Sequence, residues 1–134
     1  MGNWIPGDPT LVAQILRISS AYSPPPPEGF VSPMTWGAES HVEDRFGKAG
    51  IPRQNISFAR DTYMFEFPGT PSSLLAEFRQ YYGPTMNAFD AAGKNGRADE
   101  LHKELENLFE AQNTAPRRDT TRIPATFLRV TVSV

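Results

Sequence analysis

The sequence predicts an α+β protein, and three observations carry that expectation. Two long segments, 56–67 and 121–134, alternate apolar and polar residues as strands do. About five other segments repeat apolar residues at helical spacing, and proline or glycine clusters separate them. At 134 residues the chain has the length of one domain. Residues 1–134 are therefore read as a single domain with a proline-rich connector at 23–37.

The elements follow in order. Asp8-Pro9 suits a helix start, because aspartate accepts from orphan backbone N–H groups and proline fits the first helical position. Leu11, Val12, Ile15, Leu16 and Ser19 then form one stripe, and the helix ends near Tyr22 ahead of Pro24-Pro25-Pro26-Pro27. Four consecutive prolines favour extended chain and read as a stiff connector rather than an SH3 or WW ligand. Ala38, Val42 and Phe46 share a face of a short helix over about 38–45, closed by Gly47 and Gly50.

The strand over 56–67 changes phase. Ile56 and Phe58 are apolar at even positions, Tyr63, Phe65 and Phe67 at odd ones, so a bulge or bend is expected near Arg60-Asp61. Thr70-Pro71 opens a helix carrying Leu74, Leu75, Phe78 and Tyr82. Gly83-Pro84 breaks it, and a second segment restarts with Thr85, Ala88 and Phe89. Leu101, Leu105, Leu108 and Phe109 mark an amphipathic helix over about 97–113. The last strand is apolar on both faces, with Leu128, Val130, Val132 and Val134 on one and Ile123, Ala125 and Phe127 on the other, which predicts a covered position in a sheet. Two strands alone leave both edges open, so the sheet is expected to be completed by another molecule.

Composition narrows the function classes. With 13 basic and 15 acidic side chains the net charge is −2, which argues against a nucleic-acid binder relying on many phosphate contacts. The absence of cysteine removes disulfides, thiolate metal sites and a cysteine nucleophile. Apolar runs fall far short of the roughly 20 residues that span a bilayer, and no charged-then-apolar leader opens these residues. A cytoplasmic protein without nucleic-acid or membrane partners is expected. Nine phenylalanines, four tyrosines and two tryptophans supply the large side chains for a core.

The succession Asn3-Trp4-Ile5-Pro6, Pro24 to Pro27, Trp36-Gly37-Ala38-Glu39, Phe78-Arg79-Gln80-Tyr81-Tyr82-Gly83-Pro84-Thr85 and Pro124-Ala125-Thr126-Phe127-Leu128-Arg129-Val130 resembles the C-terminal part of class I S-adenosylmethionine-dependent methyltransferases. It looks most like the small-molecule branch grouped with ubiquinone and menaquinone biosynthesis enzymes, and the likeness covers nearly the whole chain. The resemblance implies the C-terminal portion of a Rossmann-like fold. In it, Asn3 to Pro6 follow the fifth strand, 56–67 is the sixth, and 122–134 is the seventh, inserted antiparallel between its neighbours. The two long strands would then pair antiparallel, with helices forming a cap on the substrate side.

What the family adds before this part is a strand, a glycine-rich turn and a helix that approach the cofactor closely, then a carboxylate for the ribose hydroxyls. These residues contain no such unit: Gly93-Lys94-Asn95-Gly96 follows a helix and reads as a plain loop. Met1-Gly2 directly before Asn3-Trp4 points to a start where the fifth strand would be ending. No cofactor site is expected in this chain, and S-adenosylmethionine is implied only for the full-length family.

Trp4, Trp36, Tyr81, Tyr82 and Thr85 are the substrate-pocket candidates. The tryptophans can stack on a flat ring, and the hydroxyls flank a helix break that frees backbone groups; burial in the core is the plainer role for each. His41 lies near Glu39, Glu43 and Asp44, but on an expected solvent face, so no metal site is assigned. His102, four residues before Glu106, suits a solvated ion pair. Arg117, Arg118 and Arg122 form a short basic cluster of ordinary loop character. No catalytic residue is assigned. The expected function is the substrate cap of a small-molecule methyltransferase, inactive alone, acting as a homodimer or with a separate cofactor-binding domain. The alternative is a non-catalytic small-ligand-binding or protein-interaction module.

Overall fold

A computed structural model describes residues 1–134. Of its α-helices, one has a side-chain cap on its free backbone donors, and another is preceded by a side-chain-bonded turn. Helix α1 (Leu11–Tyr22) is preceded by Asp8, whose carboxylate accepts from the Thr10 N–H at 2.9 Å and from the Thr10 hydroxyl. Aspartate thus organises the turn before the helix, and Thr10 holds the cap position predicted for Asp8. After the proline segment come a 3-10 turn (Pro33–Gly37), helix α2 (Glu39–Lys48) and a second 3-10 turn (Arg53–Asn55). Helix α3 (Pro71–Tyr81) starts as expected, with Pro71 in its first turn and the Thr70 hydroxyl accepting from the Ser73 N–H at 3.2 Å. Tyr82 is extended and α4 (Gly83–Lys94) begins beyond it, because Pro84 has no N–H to continue the hydrogen-bond ladder. Helix α5 (Ala98–Gln112) buries Leu101, Leu105 and Phe109 completely.

The fold is α+β, with five α-helices and an open antiparallel sheet of three strands rather than two. The additional strand, β1 (Gly2–Trp4), is three residues long, too short to show alternation in the sequence. The long strands are β2 (Ile56–Phe67) and β3 (Thr121–Val132), and the order is β1-β3-β2 with β3 antiparallel to both neighbours.

The expected bulge at Arg60-Asp61 is absent. Pairing between β2 and β3 runs without interruption from Ile56 opposite Val132 to Phe67 opposite Thr121. The phase change has another cause: each face of the ribbon is covered along a different half. Odd-numbered Ile123 and Ala125, with Phe65 and Phe67, join the main core of α1, α3, α4 and α5. Even-numbered Ile56, Leu128 and Val130, with Phe58 and Val132, meet Ile5, Val42, Trp36, Phe46 and Ile51 in a smaller core on the other face. The apolar parity therefore flips along the strand while the register stays constant.

The outer side of β3 is closed residue by residue. The Arg122 N–H donates to Asn113 Oδ1, the Thr126 N–H to Thr10 Oγ1 and the Val130 N–H to the Met1 carbonyl, each at 2.8 Å, with β1 pairing in between. The 3-10 turn before α2 rests on β1 at Gly37, where a Cβ would lie 1.8 Å from the Trp4 carbonyl oxygen, so only glycine permits that approach. No helix is long and apolar enough to cross a membrane.

Candidate functional site

Strand β1 ends at Trp4, opposite Phe127 of β3, and the two rings meet edge to face at 6.2 Å. Both lie on the odd-numbered face, at the margin of the helical layer. Helix α3 brings Leu74, Phe78 and Tyr82 to this margin through their four-residue spacing, and Tyr81 follows one step round. A cavity of about 420 Å³ opens here between Trp4, Val12, Phe65 and the α3 side chains, with Glu77 as its one charged lining residue. A second cavity of about 430 Å³, floored by Gly2, Asn3, Tyr63 and Phe127, shares Trp4 and Phe65 with it. Together they form an aromatic groove across the carboxyl end of β1.

The groove wall is a run of edge-to-face rings: Tyr63 to Phe65 at 4.9 Å, Phe65 to Phe78 at 5.7 Å, and Phe78 to Tyr82 at 5.4 Å. Phe78 is anchored in turn on Phe109 of the main core at 5.4 Å, so the wall is built on the most buried part of the protein. Burial raises the Tyr82 pKa above its ordinary value, partly offset by a hydrogen bond with the Trp4 side chain. Tyr82 is a neutral phenol at physiological pH. Its ring edge is fixed, whereas Tyr81 is 70% exposed. Asn3, opposite Leu128, directs its side chain to the face of the smaller core, away from the groove, and its Nδ2 is buried there without a hydrogen-bond partner. The groove surface can hold a flat apolar molecule by stacking and burial, with the Tyr82 hydroxyl and the Glu77 carboxylate as polar contacts. It contains no paired acid and base and no activated nucleophile.

Of the five residues singled out in the sequence, Trp4, Tyr81 and Tyr82 come together here. Trp36 does not. It lies with the smaller core on the opposite face, edge-on to Phe46 at 6.1 Å and beneath the Arg45 guanidinium at 4.3 Å. Gly37 is the cause: the turn passes so close to β1 that the neighbouring Trp36 is directed into the second core. Thr85 is also excluded. It is completely buried on the α4 stripe it shares with Ala88, Phe89 and Ala92, and its hydroxyl has no partner. Sequence reasoning places Phe65, Leu74 and Phe78 in the core and does not single out Glu77 or Phe127 as site residues. The odd parity of Tyr63-Phe65-Phe67 and the Leu74-Phe78-Tyr82 spacing are the available signals; Glu77 has none.

The remaining polar candidates lie apart. His41 is exposed on α2, and no group of three or more His, Asp or Glu side chains is placed to hold a metal ion. His102 Nε2 meets Glu106 at 3.0 Å in a partly exposed hydrogen bond at the four-residue spacing the sequence singled out. Arg117 pairs with Asp119 at 3.2 Å and Arg122 with Glu66 at 3.5 Å. Compared with protein-family models, curated proteins and solved structures, the chain shows no significant match.

Proposed function

We propose that this chain is the substrate-cap portion of an S-adenosylmethionine-dependent small-molecule methyltransferase and has no methylation activity alone. One observation carries the proposal: β3 is hydrogen-bonded between β1 and β2, two strands that run parallel to each other, and no strand pairs with the far side of the short β1, where the Gly37 turn packs against Trp4. A mainly parallel sheet closed by one inserted antiparallel strand, the arrangement the resemblance to class I methyltransferases implies, would end in this order. In open α/β sheets ligands bind beyond the carboxyl ends of the strands, and the aromatic groove lies beyond the carboxyl end of β1.

In this reading the groove receives the methyl acceptor, and a separate cofactor-binding domain docks along β1 and supplies the donor. Methyl transfer asks mainly for an acceptor held in line with the sulfonium. Trp4, Phe65, Phe78 and Tyr82 do that by shape, without proton transfer. Titration calorimetry with S-adenosylmethionine tests the proposal: no heat of binding is expected from the chain alone, and micromolar binding overturns it. Reading the adjoining upstream DNA for an in-frame strand and glycine-rich turn tests it independently.

A second reading has its own observation. The groove is walled by residues of one chain and lined mostly by apolar and aromatic side chains, which suits a non-catalytic carrier of a flat apolar ligand. Native mass spectrometry of the purified chain separates the two. A stoichiometric small molecule that leaves on Tyr82→Ala favours the carrier, and an empty groove removes it.

A further inference from the structure

We propose that two copies of this chain pair antiparallel along the outer edges of β2, with Tyr63 on the two-fold axis. The inference rests on that edge alone and stands or falls separately from the methyltransferase reading, which concerns β1.

The two sides of the sheet are treated differently. Even-numbered residues of β3 direct their backbone outward, as the donations from Arg122, Thr126 and Val130 show. Odd-numbered residues of β3 therefore bond to β2, and the odd-numbered residues opposite them on β2 return the bonds. That leaves the N–H and C=O groups of Phe58, Arg60, Thr62, Met64 and Glu66 pointing away from the sheet. Outside the β3 ladder, the β2 main chain is hydrogen-bonded only at its first residue, where the Ile56 N–H donates to the Arg53 carbonyl and the Ile56 carbonyl accepts from the Arg53 guanidinium at 3.0 Å. No proline or bulge interrupts the strand. A twelve-residue edge of this kind is a template for another strand.

The side chains select a second copy and one register. Free groups on even residues must meet even residues of the incoming strand. A dyad at Arg60 sets two guanidinium groups face to face, and a dyad at Asp61 sets two carboxylates face to face. A dyad at Thr62 puts Arg60 opposite Met64 and Glu66 opposite Phe58. A dyad at Tyr63 puts Arg60 of each copy directly opposite Glu66 of the other, twice over, and brings the two Tyr63 rings together. Arg60 makes no ion pair within the chain, and Glu66 reaches only Arg122, at 3.5 Å, with its side chain 69% exposed. Tyr63 is 55% exposed although its neighbours Phe65 and Phe127 are half-buried.

The product is a six-stranded sheet, β1-β3-β2-β2-β3-β1, with α1, α3, α4 and α5 of both copies on one face and both α2 helices on the other, because the two-fold axis is perpendicular to the sheet. The pairing is closed and leaves only the short β1 edges.

Sedimentation velocity of the full chain at micromolar concentration is expected to give a dimer. Arg60→Glu is expected to weaken it at least about tenfold, the factor for roughly 1.4 kcal/mol, and Arg60→Glu with Glu66→Arg to restore it. The chain has no cysteine, so a single introduced thiol reports the register. Tyr63→Cys, at a non-hydrogen-bonded pair where Cβ atoms lie about 4.5–5.5 Å apart, is expected to oxidise to a disulfide-linked dimer, and Asp61→Cys to remain unlinked. A monomeric wild type overturns the proposal. So does a dimer indifferent to Arg60→Glu, or one in which the Asp61→Cys variant crosslinks and the Tyr63→Cys variant does not.

Discussion

Helices α5 and α2 cover opposite faces of the same β-ribbon, and they are held very differently. Helix α5 buries Leu101, Leu105 and Phe109 completely, in a core of 15 buried residues that also takes in α1, α3 and α4. Helix α2 buries one residue, Val42, in a core of five. Both faces use the same strand pairing, so the difference lies in how much apolar surface reaches each half of the ribbon. The main core then sets global stability, and the smaller core sets only how firmly α2 and the preceding turn are attached.

The strongest way to break that division is Phe109→Ala. The side chain is fully buried and its ring supports Phe78, so truncation is expected to cost about 3–5 kcal/mol, measured by urea denaturation. The groove loses its anchored wall at the same time, so ligand capture and stability should fall together. A loss below about 0.5 kcal/mol, the range of a tolerant surface site, means that α5 is not part of the global unit. Val42→Ala is expected to cost about 2 kcal/mol by the loss of two buried methyl groups and a small cavity. Its decisive readout is hydrogen exchange. Amides of α2 should exchange faster while those of α5 keep their protection; equal acceleration of both helices would merge the two cores into one cooperative unit.

The helices and both long strands are legible in the sequence because each buries a stripe long enough to show its period. Ile56–Phe67 and the break at Tyr82 follow from alternation and from Pro84. Strand β1 is not legible, since its three residues carry no period, and the two-faced covering of β2 looks like a bulge. Parity alone cannot distinguish an inserted residue from a change in which face is covered. The groove is half legible for a related reason. Trp4, Tyr81 and Tyr82 are large aromatics within two residues of proline or glycine, and that composition marks them. Trp36 has the same composition, and the close contact of Gly37 with β1, visible only in three dimensions, sends it to the other face. Glu77 reaches the groove through a helix phase that no local pattern encodes.

Between the two cores stands Thr10. Its hydroxyl donates to Asp8 and accepts from the Thr126 N–H at 2.8 Å, joining the start of α1 to the middle of β3, between Ala125 of one core and Leu128 of the other. Thr10→Val keeps the shape, leaves the Thr126 N–H without its acceptor and removes one of the two donors to the Asp8 carboxylate, at an expected cost of about 1.5 kcal/mol. Serine at this position should recover most of it. If valine is neutral, the bridge between the cores is packing and not this hydrogen bond.

The smallest effect tests whether surface charge compensates α2 for its thin core. The Lys48 ammonium lies 2.8 Å from the Asp44 carboxylate, and the hydrogen bond, then the charge, hold that carboxyl below its ordinary pKa. A carboxyl whose folded pKa is depressed contributes stability above its unfolded pKa and loses it as pH falls through the folded value. The pair is therefore intact at neutral pH and disappears only in acid. Both side chains are more than half exposed, at 76% and 61%, and an exposed i,i+4 pair is largely screened by water. Lys48→Met is expected to return the Asp44 titration, followed by NMR, upward to the usual aspartate range. It should leave α2 exchange rates close to those of the wild type, in contrast to Val42→Ala. Should Lys48→Met loosen α2 as much as Val42→Ala does, the helix is held by its charges, and the unequal cores do not explain its attachment.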